Sequence, residues 1–389
     1  MLDKKMPRRR VILIVNYGPD QQQSMLKFGQ TLYGALQATG CRVETWESPR
    51  AFAQLALMLP AKLHKWSGYL DKLILGQITL VAKRMRHPGA IWHVVDHSNA
   101  VYAWCLPKAR LVVTCHDCIA IDDALARTPF GKRTGQPVGA MGVWLQRWIA
   151  AGLRRASKVA CVSSATAADL ERLVRVRPDR TCVVYNGMVQ DLVVPDRDEA
   201  MRLLVAMGIN VDADFMFMVG SDLLRKNRAN AIRAFDLLRA EGAYPGLQLV
   251  VAGAPMLGEN QALADSSAWR GDIVEVGMLG SDALAACYRY ADVVLFPSLA
   301  EGFGLPIIEA QRCGAALVTS ARAPMDEVAG EGALQVNPED PAAIASGVRQ
   351  ALAESGSLRE RGIANAARFS VEAMRDGYLS LYRSLEAAL

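Results

Sequence analysis

Short apolar runs alternate with longer segments of helical periodicity along the whole chain. Each short run ends in glycine, proline, serine or asparagine, a pattern typical of buried strands in a parallel sheet. The runs lie at 11–15, 42–46, 91–95, 111–114, 159–162 and 182–185 in the first half, and at 215–219, 247–252, 273–276, 294–296 and 315–319 in the second. Strands that alternate with helices predict an α/β fold.

The alternation runs through once and then begins again, which predicts two Rossmann-like domains. The chain has 389 residues, a length that suggests two domains. Asn186-Gly187 is a turn signal, and we place the boundary there, between a domain of residues 1–187 and one of 188–370. The last three helices are expected near 341–354, 355–368 and 371–388.

The composition is that of a globular protein rather than a membrane-spanning one. Apolar residues make up 51% of the chain and charged residues 21%. No apolar run approaches the roughly 18 residues that a membrane span needs. The run at 11–15 is too short for the core of a signal peptide and fits a first strand. The eight cysteines are scattered through apolar segments, which suggests a reducing cytoplasm.

The net charge of +5 hides an asymmetry between the two halves. Residues 1–187 hold 27 Lys and Arg against 12 Asp and Glu, whereas the remainder holds 17 against 27. The halves therefore carry +15 and −10. A basic half suggests an anionic partner, such as a phospholipid surface, a pyrophosphate-linked acceptor or nucleic acid. A cationic loop predicted from Asp122 to Gly142 is a further candidate for acceptor contact.

Residues 51–87 mix apolar clusters with basic and aromatic side chains. Lys62, Lys65, Trp66 and Lys72 are examples. This composition suits an amphipathic helix at a membrane surface, which would place the protein peripherally on the inner face of the membrane. An ordinary pair of amphipathic helices packed on the sheet explains the same pattern, with the lysines in solvent.

The segment from Val294 to Cys313 carries the strongest functional pattern. A buried strand ends at Pro297, a loop containing Glu301 leads to Gly302-Phe303-Gly304, and a helical pattern with Glu309 on it follows. Glycines allow a ligand close to the backbone, and a helix N-terminus suits phosphate or sugar oxygens. A simple strand-turn-helix with two surface glutamates is the plain alternative.

Three segments resemble retaining glycosyltransferases of family 4, which have the GT-B fold. They are EGFGLPIIE at 301–309, VTCHD at 113–117 and VGSDLLRKN at 219–227. The resemblance implies two Rossmann-like domains facing a central cleft, with the second binding a nucleotide-diphosphate sugar and the first an acceptor. It also implies that the last helix, 371–389, returns to the first domain.

The resemblance implies roles for particular residues. His116, Glu301 and Lys226 would be the catalytic residues, and Gly18 and Asp117 would lie on the acceptor side. Asp117 has an alternative role as the cap of the following turn. Arg225 and Lys226 are otherwise surface cations near a helix start. The donor would be bound by Gly220, Ser221, Arg225, Lys226, Gly277, Met278, Leu279, Gly302, Phe303, Gly304, Leu305 and Glu309.

The implied reaction moves a hexose, with mannose favoured, from a GDP- or UDP-linked donor to a glycan or lipid-linked acceptor in surface polysaccharide synthesis. We expect no cofactor and no metal. Cys115 and Cys118 form a CxxC, but no second Cys/His pair stands at a zinc spacing. The alternatives are a sugar-nucleotide phosphorylase or epimerase on the same fold, or an RNA-binding protein. RNA binding lacks aromatics interleaved with the charges, so we expect no nucleic-acid partner.

Overall fold

A computed structural model of the chain describes residues 9–20, 22–56, 64–125, 138–188 and 192–389. These residues form two compact units. The first unit takes residues 9–125, 138–188 and Val371–Leu389, and the second takes residues 192–370. None of the helices in the described ranges combines the length and the apolar composition that crossing a bilayer requires.

The first unit is built on a parallel six-stranded sheet whose strand order is β2-β1-β3-β4-β5-β6. Its strands are β1 Val11–Ile14, β2 Val43–Trp46, β3 Ile91–Val94, β4 Leu111–Cys115, β5 Lys158–Cys161 and β6 Thr181–Val183. The chain leaves β1 toward β2 and then returns to the other side of β1 as β3. The strand order therefore reverses between β1 and β3, where open α/β sheets form a crevice.

Helices cover both faces of this sheet. They are α1 Gln23–Gln37, α2 Ala51–Ala56, α3 His64–Leu70, α4 Gly76–Arg86, α5 Ile119–Leu125, α6 Ala140–Arg155 and α7 Ser164–Asp169. The terminal helix, Val371–Ala387, also belongs to this unit and buries Tyr378 and Tyr382 against β1, β3 and α1. His93 on β3 contacts the Tyr382 hydroxyl at 2.7 Å.

The second unit repeats the architecture with a different strand order, β12-β11-β10-β7-β8-β9. Its strands are β7 Phe215–Gly220, β8 Gln248–Gly253, β9 Ile273–Gly277, β10 Val293–Phe296, β11 Leu317–Ser320 and β12 Leu334–Val336. In chain order this is 3-2-1-4-5-6, the arrangement of dinucleotide-binding folds. The order reverses between β7 and β10, so the crevice of this sheet lies at their carboxyl ends.

The helices of the second unit bury their apolar faces on this sheet. They are α8 Arg197–Ala206, α9 Arg228–Ala240, α10 Gly258–Ser266, α11 Ser281–Tyr290, α12 Leu305–Arg312, α13 Met325–Ala329, α14 Pro341–Ala353 and α15 Ser355–Ala366, and the terminal helix of the first unit is α16. The core between sheet and helices is apolar and mainly aliphatic, and its fully buried members include Leu249, Leu295, Val318, Val348 and the aromatic Phe235.

The predicted α/β fold is confirmed, and most strand ends fall within one or two residues of the prediction. Sequence analysis missed β12, which has three residues and stands at the sheet edge. The loop predicted from Asp122 to Gly142 is wrong at both ends, because α5 continues to Leu125 and α6 begins at Ala140. Its predicted cations, Arg127, Lys132 and Arg133, lie outside the described residues.

Candidate functional site

The loops that follow β7 and β10 are tied together at the crevice of the second sheet. Asn227, in the left-handed conformation, donates its side-chain amide to the carbonyl oxygens of Pro297 and Pro338, at 2.9 and 2.7 Å. The Leu299 amide donates to the Arg225 carbonyl at 2.7 Å. Asparagine tolerates this backbone conformation better than most residues. These bonds hold three loops, after β7, β10 and β12, in one arrangement.

Two cations meet one carboxylate between these loops. Lys226 Nζ lies 2.6 Å from Glu301 Oε1, and Arg225 Nη1 lies 2.7 Å from Glu301 Oε2. The side chains of Lys226 and Glu301 are only 11% and 10% exposed. Burial opposes ionisation of Glu301, but the two cations outweigh it and hold the pKa of Glu301 below its usual value. The cluster is therefore charged and largely withdrawn from water.

Neighbouring groups fix the position of Lys226. Its aliphatic chain packs over Gly220, where an added Cβ would lie 3.4 Å from Lys226 Cδ. Its ammonium lies 5.0 Å from the centre of the Phe296 ring. Gly220 has φ +151°, a conformation that disfavours other residues. Ser221 follows Gly220 directly, so these two predicted donor-binding residues lie at the carboxyl end of β7.

The glycine turn places a helix start beside the charge cluster. Gly304 has φ +105° and precedes α12, with Pro306 in the first turn and Leu305 half-buried. Phe303 is buried, and its ring meets Phe369 edge to face at 5.6 Å. Gly302 follows Glu301 directly. The anchored Phe303 ring fixes the backbone of the turn, and the positive end of the α12 dipole lies next to it.

Glu309 lies on α12, one turn beyond this start. The buried Tyr288 hydroxyl donates to Glu309 Oε2 at 3.0 Å. Burial raises the pKa of Tyr288 well above its usual value, and the neighbouring Glu309 carboxylate adds to this, so the phenol stays protonated as a donor. Tyr288 therefore orients the carboxylate.

The predicted Gly277-Met278-Leu279 segment lies farther along the same edge of the sheet. Gly277 ends β9, the edge strand two positions from β7, and Met278 is 84% exposed. All the predicted donor-binding residues therefore follow the carboxyl ends of β7, β9 and β10. Two carboxylates at an Asp-x-Asp spacing, Asp212 and Asp214, come just before β7. They therefore lie at the end of that strand opposite to the predicted donor-binding residues.

His116 follows β4 at the carboxyl edge of the first sheet. It is 7% exposed, its Nε2 lies 2.9 Å from the Val95 carbonyl, and the Phe28 ring packs against it at 4.7 Å. Burial lowers the pKa of His116, and the nearby Asp96 carboxylate opposes this without reversing it. A carbonyl only accepts, so neutral His116 carries its proton on Nε2 and presents Nδ1 as a hydrogen-bond acceptor.

The two residues predicted for the acceptor side have structural partners. Asp117 Oδ1 accepts from the Ile119 amide at 3.0 Å, at the first residue of α5. The Gly18 amide donates to Glu47 Oε1 at 2.9 Å. Asp117 thus serves as the cap that was the alternative to a site role. A functional role for either residue stays a prediction.

Sequence analysis missed Arg228, which ties the end of β7 to the loop after β8 beside the site. Its guanidinium is almost fully buried and donates to the carbonyls of Gly220 and Ala254, at 2.6 and 2.8 Å, and to Asp222 Oδ1 at 3.2 Å. Burial lowers the pKa of Arg228, and Asp222 acts in the opposite direction. The sequence offered one signal for Arg228, which is its position two residues after Lys226, the only lysine that follows Lys158 in the chain.

The cysteine pair that raised the question of a metal is buried. The sulfurs of Cys115 and Cys118 lie 3.9 Å apart, and burial raises the pKa of the Cys115 thiol well above its usual value. A protonated thiol is a poor metal ligand. Within the ranges that the structure describes, no three His, Cys, Asp or Glu side chains gather as metal ligands would.

Comparison with known proteins gives two family matches and a set of relatives. The model for glycosyl transferases group 1 matches residues 204–369, and that for Glycosyltransferase Family 4 matches residues 30–191. A serotype-specific mannosyltransferase, WbdA, of Escherichia coli is 29% identical over 226 residues, which cover 57% of this chain and 28% of that protein. The chain thus spans less than a third of that relative.

A second relative matches over most of its length. The O-antigen chain mannosyltransferase B of Escherichia coli is 26% identical over 322 residues, covering 79% of this chain and 81% of that protein. Among solved structures, the sucrose-phosphate synthase of Thermosynechococcus elongatus aligns over 98% of this chain and all of its own, with a TM-score of 0.74 and 20% identity. The two family models together span most of both units, and the chain belongs to glycosyltransferase family 4, with the GT-B fold.

Proposed function

We propose that the protein transfers a hexose from a nucleotide-diphosphate sugar to a glycan or lipid-linked acceptor. The observation that carries the proposal is the convergence of Lys226 and Arg225 on buried Glu301, beside the start of α12 and at the crevice of the second sheet. Two cations and a helix N-terminus form an anion site of the kind a diphosphate requires.

In this proposal Lys226 and Arg225 stabilise the diphosphate as it leaves. Negative charge develops there when the glycosidic bond breaks, so fixed cations lower the barrier. In the structure both cations are held by Glu301, which stands in for the anion. Donor binding then shares the cations between phosphate and carboxylate, and leaves Glu301 able to accept from hydroxyls of the transferred sugar. The backbone of Phe303 and Gly304 meets that sugar or its phosphate.

Glu309 binds the ribose of the donor. A carboxylate accepts two hydrogen bonds from neighbouring hydroxyls, as it does in dinucleotide-binding folds. Tyr288 already fixes one of its oxygens, which orients the group before the ligand arrives. The Gly277–Leu279 backbone meets the nucleobase, and His116 offers Nδ1 to a hydroxyl of the transferred sugar.

We propose a retaining reaction with mannose as the transferred sugar. Both Escherichia coli relatives are named mannosyltransferases, which supports mannose and surface polysaccharide as the product class. The acceptor attacks from the face that the diphosphate leaves, and a phosphate oxygen takes the acceptor's proton. No side chain then has to serve as nucleophile, and the work falls on the cations and the helix dipole.

A panel of nucleotide sugars tests the donor site directly. We expect GDP-mannose or a related GDP- or UDP-hexose to raise the unfolding free energy of the full chain by about 2.7 kcal/mol at one hundred times its Kd. Incubation with acceptor must give a glycoside of retained configuration, whereas a phosphorylase or epimerase would release sugar phosphate or an isomerised nucleotide without acceptor. Absence of any shift across GDP and UDP sugars would exclude the proposal.

We also propose that the first unit contacts an anionic membrane through α3 and α4. Apolar side chains are exposed along these helices and along the π-helical turn Asp71–Leu75 that joins them, at Leu70, Ile74, Ile78 and Met85, the last three by 51%, 63% and 74%. Arg86 is exposed beside them. An apolar face flanked by cations suits the headgroup boundary. The side chains of Lys62, Lys65 and Trp66, also named in the prediction, lie outside the described residues.

Flotation with vesicles that contain anionic lipid tests this contact. Replacing Ile74, Ile78 and Met85 by serine removes apolar area without changing charge, so we expect flotation to fall severalfold. The matched control is Leu257→Ser, because Leu257 is 69% exposed but belongs to the second unit. Equal flotation of the triple variant and the control would remove the membrane contact and leave the transferase proposal intact.

A further inference from the structure

The first unit contains a cavity of about 780 Å³ at the crevice of its own sheet. The loop after β1 supplies Tyr17 and Asp20, and the segment after β3 supplies Ser98 and Asn99. Gln146 on α6 lines it from another side. The cavity therefore lies where the strand order reverses, the position at which open α/β sheets bind ligands. The Lys226 site belongs to the other unit, so this is a separate site.

Two side-chain amides of this wall carry unsatisfied polar atoms. Asn99 is 8% exposed, and its Nδ2 is buried without a hydrogen-bond partner among the described residues. Gln146 Oε1 is likewise buried without a hydrogen-bond partner among the described residues. Leaving a buried polar group unpaired is unfavourable, so each of these atoms favours a ligand that can pair with it. A hydroxyl both donates and accepts, so a polyhydroxyl ligand satisfies an amide nitrogen and an amide oxygen alike once small side-chain rotations expose them.

The charges on the described part of the wall cancel. Among the described residues that line the cavity, Lys72 is the only cation and Asp20 the only anion. Lys72 Nζ lies 2.6 Å from Asp20 Oδ2, and 5.3 and 5.8 Å from the ring centres of Tyr69 and Tyr17. The ammonium is thus held by a carboxylate and two aromatic faces. This pair is neutral, whereas the Lys226–Arg225–Glu301 cluster keeps one excess positive charge, so a phosphate gains little attraction here and meets repulsion from Asp20.

We infer that this cavity binds an uncharged sugar residue of the acceptor, rather than its phosphate or pyrophosphate. The inference rests on the proposed transferase function and specifies its acceptor. In this inference Asn99 and Gln146 bind hydroxyls of the sugar. The cavity has room for more than one sugar residue, since pockets of about 300–1,000 Å³ enclose drug-sized ligands.

Ligand-observed NMR on the full chain tests the class of ligand. The probes are a mannose disaccharide, methyl mannoside, and mannose 6-phosphate as the anionic analogue. We expect the neutral disaccharide to bind and the phosphate to bind at least tenfold more weakly. Asn99→Ala and Gln146→Ala should each weaken the disaccharide about tenfold, the effect of one lost hydrogen bond. Arg147→Ala is the matched control, because Arg147 is exposed, adjacent on α6 and outside the cavity.

A charge change gives a second and independent test. Asp20→Asn leaves Lys72 without its carboxylate, so mannose 6-phosphate should gain affinity in that variant while the neutral disaccharide changes little. Tighter binding of the phosphate than of the neutral sugar by the unaltered protein would overturn the inference. So would failure of both neutral probes to bind.

Binding of GDP or UDP, measured in the same samples, separates this inference from the proposed function. We expect it to be unchanged in the Asn99, Gln146 and Asp20 variants, since none of these residues belongs to the second unit. If the nucleotides bind and the neutral sugars do not, the acceptor inference fails alone. If neither binds, the transferase proposal fails with it.

Discussion

Each of the two sheets has a crevice where its strand order reverses, but the side chains at the two crevices differ in charge. At the β7–β10 reversal, Lys226 and Arg225 surround a buried carboxylate. At the β1–β3 reversal, amides and tyrosines line a cavity in which the charged residues among those described, Lys72 and Asp20, neutralise each other. Strand order thus determines where each crevice forms, and a few side chains after the strand ends determine the charge of that crevice.

The comparison also shows that the net charge of a half does not predict the charge of its site. The basic half, at +15, holds the charge-balanced cavity, and the acidic half holds the cation pair. Many cations of the first unit have structural partners. Arg155 donates to the carbonyls of Ala103 and Leu106, and Lys83 pairs with Glu44. Such cations are used within the fold, so their sum says little about a ligand.

The largest effect is expected where the second crevice loses Lys226 or Glu309. Lys226→Ala should lower the transfer rate by about 10²–10³ or more, because a fixed charge at the leaving group acts mainly in the transition state. Glu309→Ala should likewise abolish measurable transfer. The matched control is Arg233→Ala, because Arg233 is a cation on α9 with a side chain that is 44% exposed. Turnover is measured with labelled donor. A near-normal rate in the Lys226→Ala or the Glu309→Ala variant would contradict the donor-site assignment.

Sequence analysis predicted the ends of β7 and β10 and the residues after them, because glycines, prolines and a helix start mark such turns locally. It did not predict that Glu301 holds Lys226 and Arg225, since the partners are 75 and 76 residues apart. Arg228 was missed for a similar reason: its partners are carbonyls at the ends of β7 and after β8. The cavity of the first unit has no motif, because its described wall comes from five separate segments.

A smaller effect is expected at Glu301, which holds Lys226 and Arg225 in the structure and is proposed to bind the transferred sugar. Glu301→Gln keeps the shape but leaves two largely buried cations unpaired, so we expect the unfolding free energy to fall by about 3 kcal/mol. A nucleotide diphosphate supplies the missing negative charge and should stabilise this variant more than the unaltered protein. Thermal unfolding with and without GDP and UDP measures the difference. Equal stabilisation of both proteins would mean that the diphosphate does not reach these cations.

Acid should destabilise the two units in different pH ranges. Burial lowers the pKa of His93 from 6.5 to about 3, so folding favours its neutral form. That contribution is present above pH 6.5 and is lost as pH falls from there toward 3, by about 1.4 kcal/mol per pH unit. The pKa of Glu301 is lowered from 4.5, so its contribution is lost only below that value.

Hydrogen exchange resolved by region measures this difference between the units. Between pH 6.5 and 4.5, protection should fall in β3 and β4, beside His93, while β7 and β10 keep theirs. His93→Gln, which cannot titrate, should flatten the pH dependence of the first unit alone. Loss of protection in both units over the same range would show that the titrating groups lie elsewhere.

The smallest effect is expected at Asp117, which follows β4 at the carboxyl edge of the first sheet and has two possible roles. As a cap, its Oδ1 accepts from the Ile119 amide, so Asp117→Ala should cost about 1 kcal/mol of unfolding free energy. Asp117→Asn keeps a carbonyl oxygen in place and should restore most of that stability. Transfer by both variants should stay within about twofold of the unaltered protein, since loss of a cap acts on stability. A large loss of transfer in the stable Asn variant would instead require the charge of Asp117, and would return this residue to the acceptor side of the reaction.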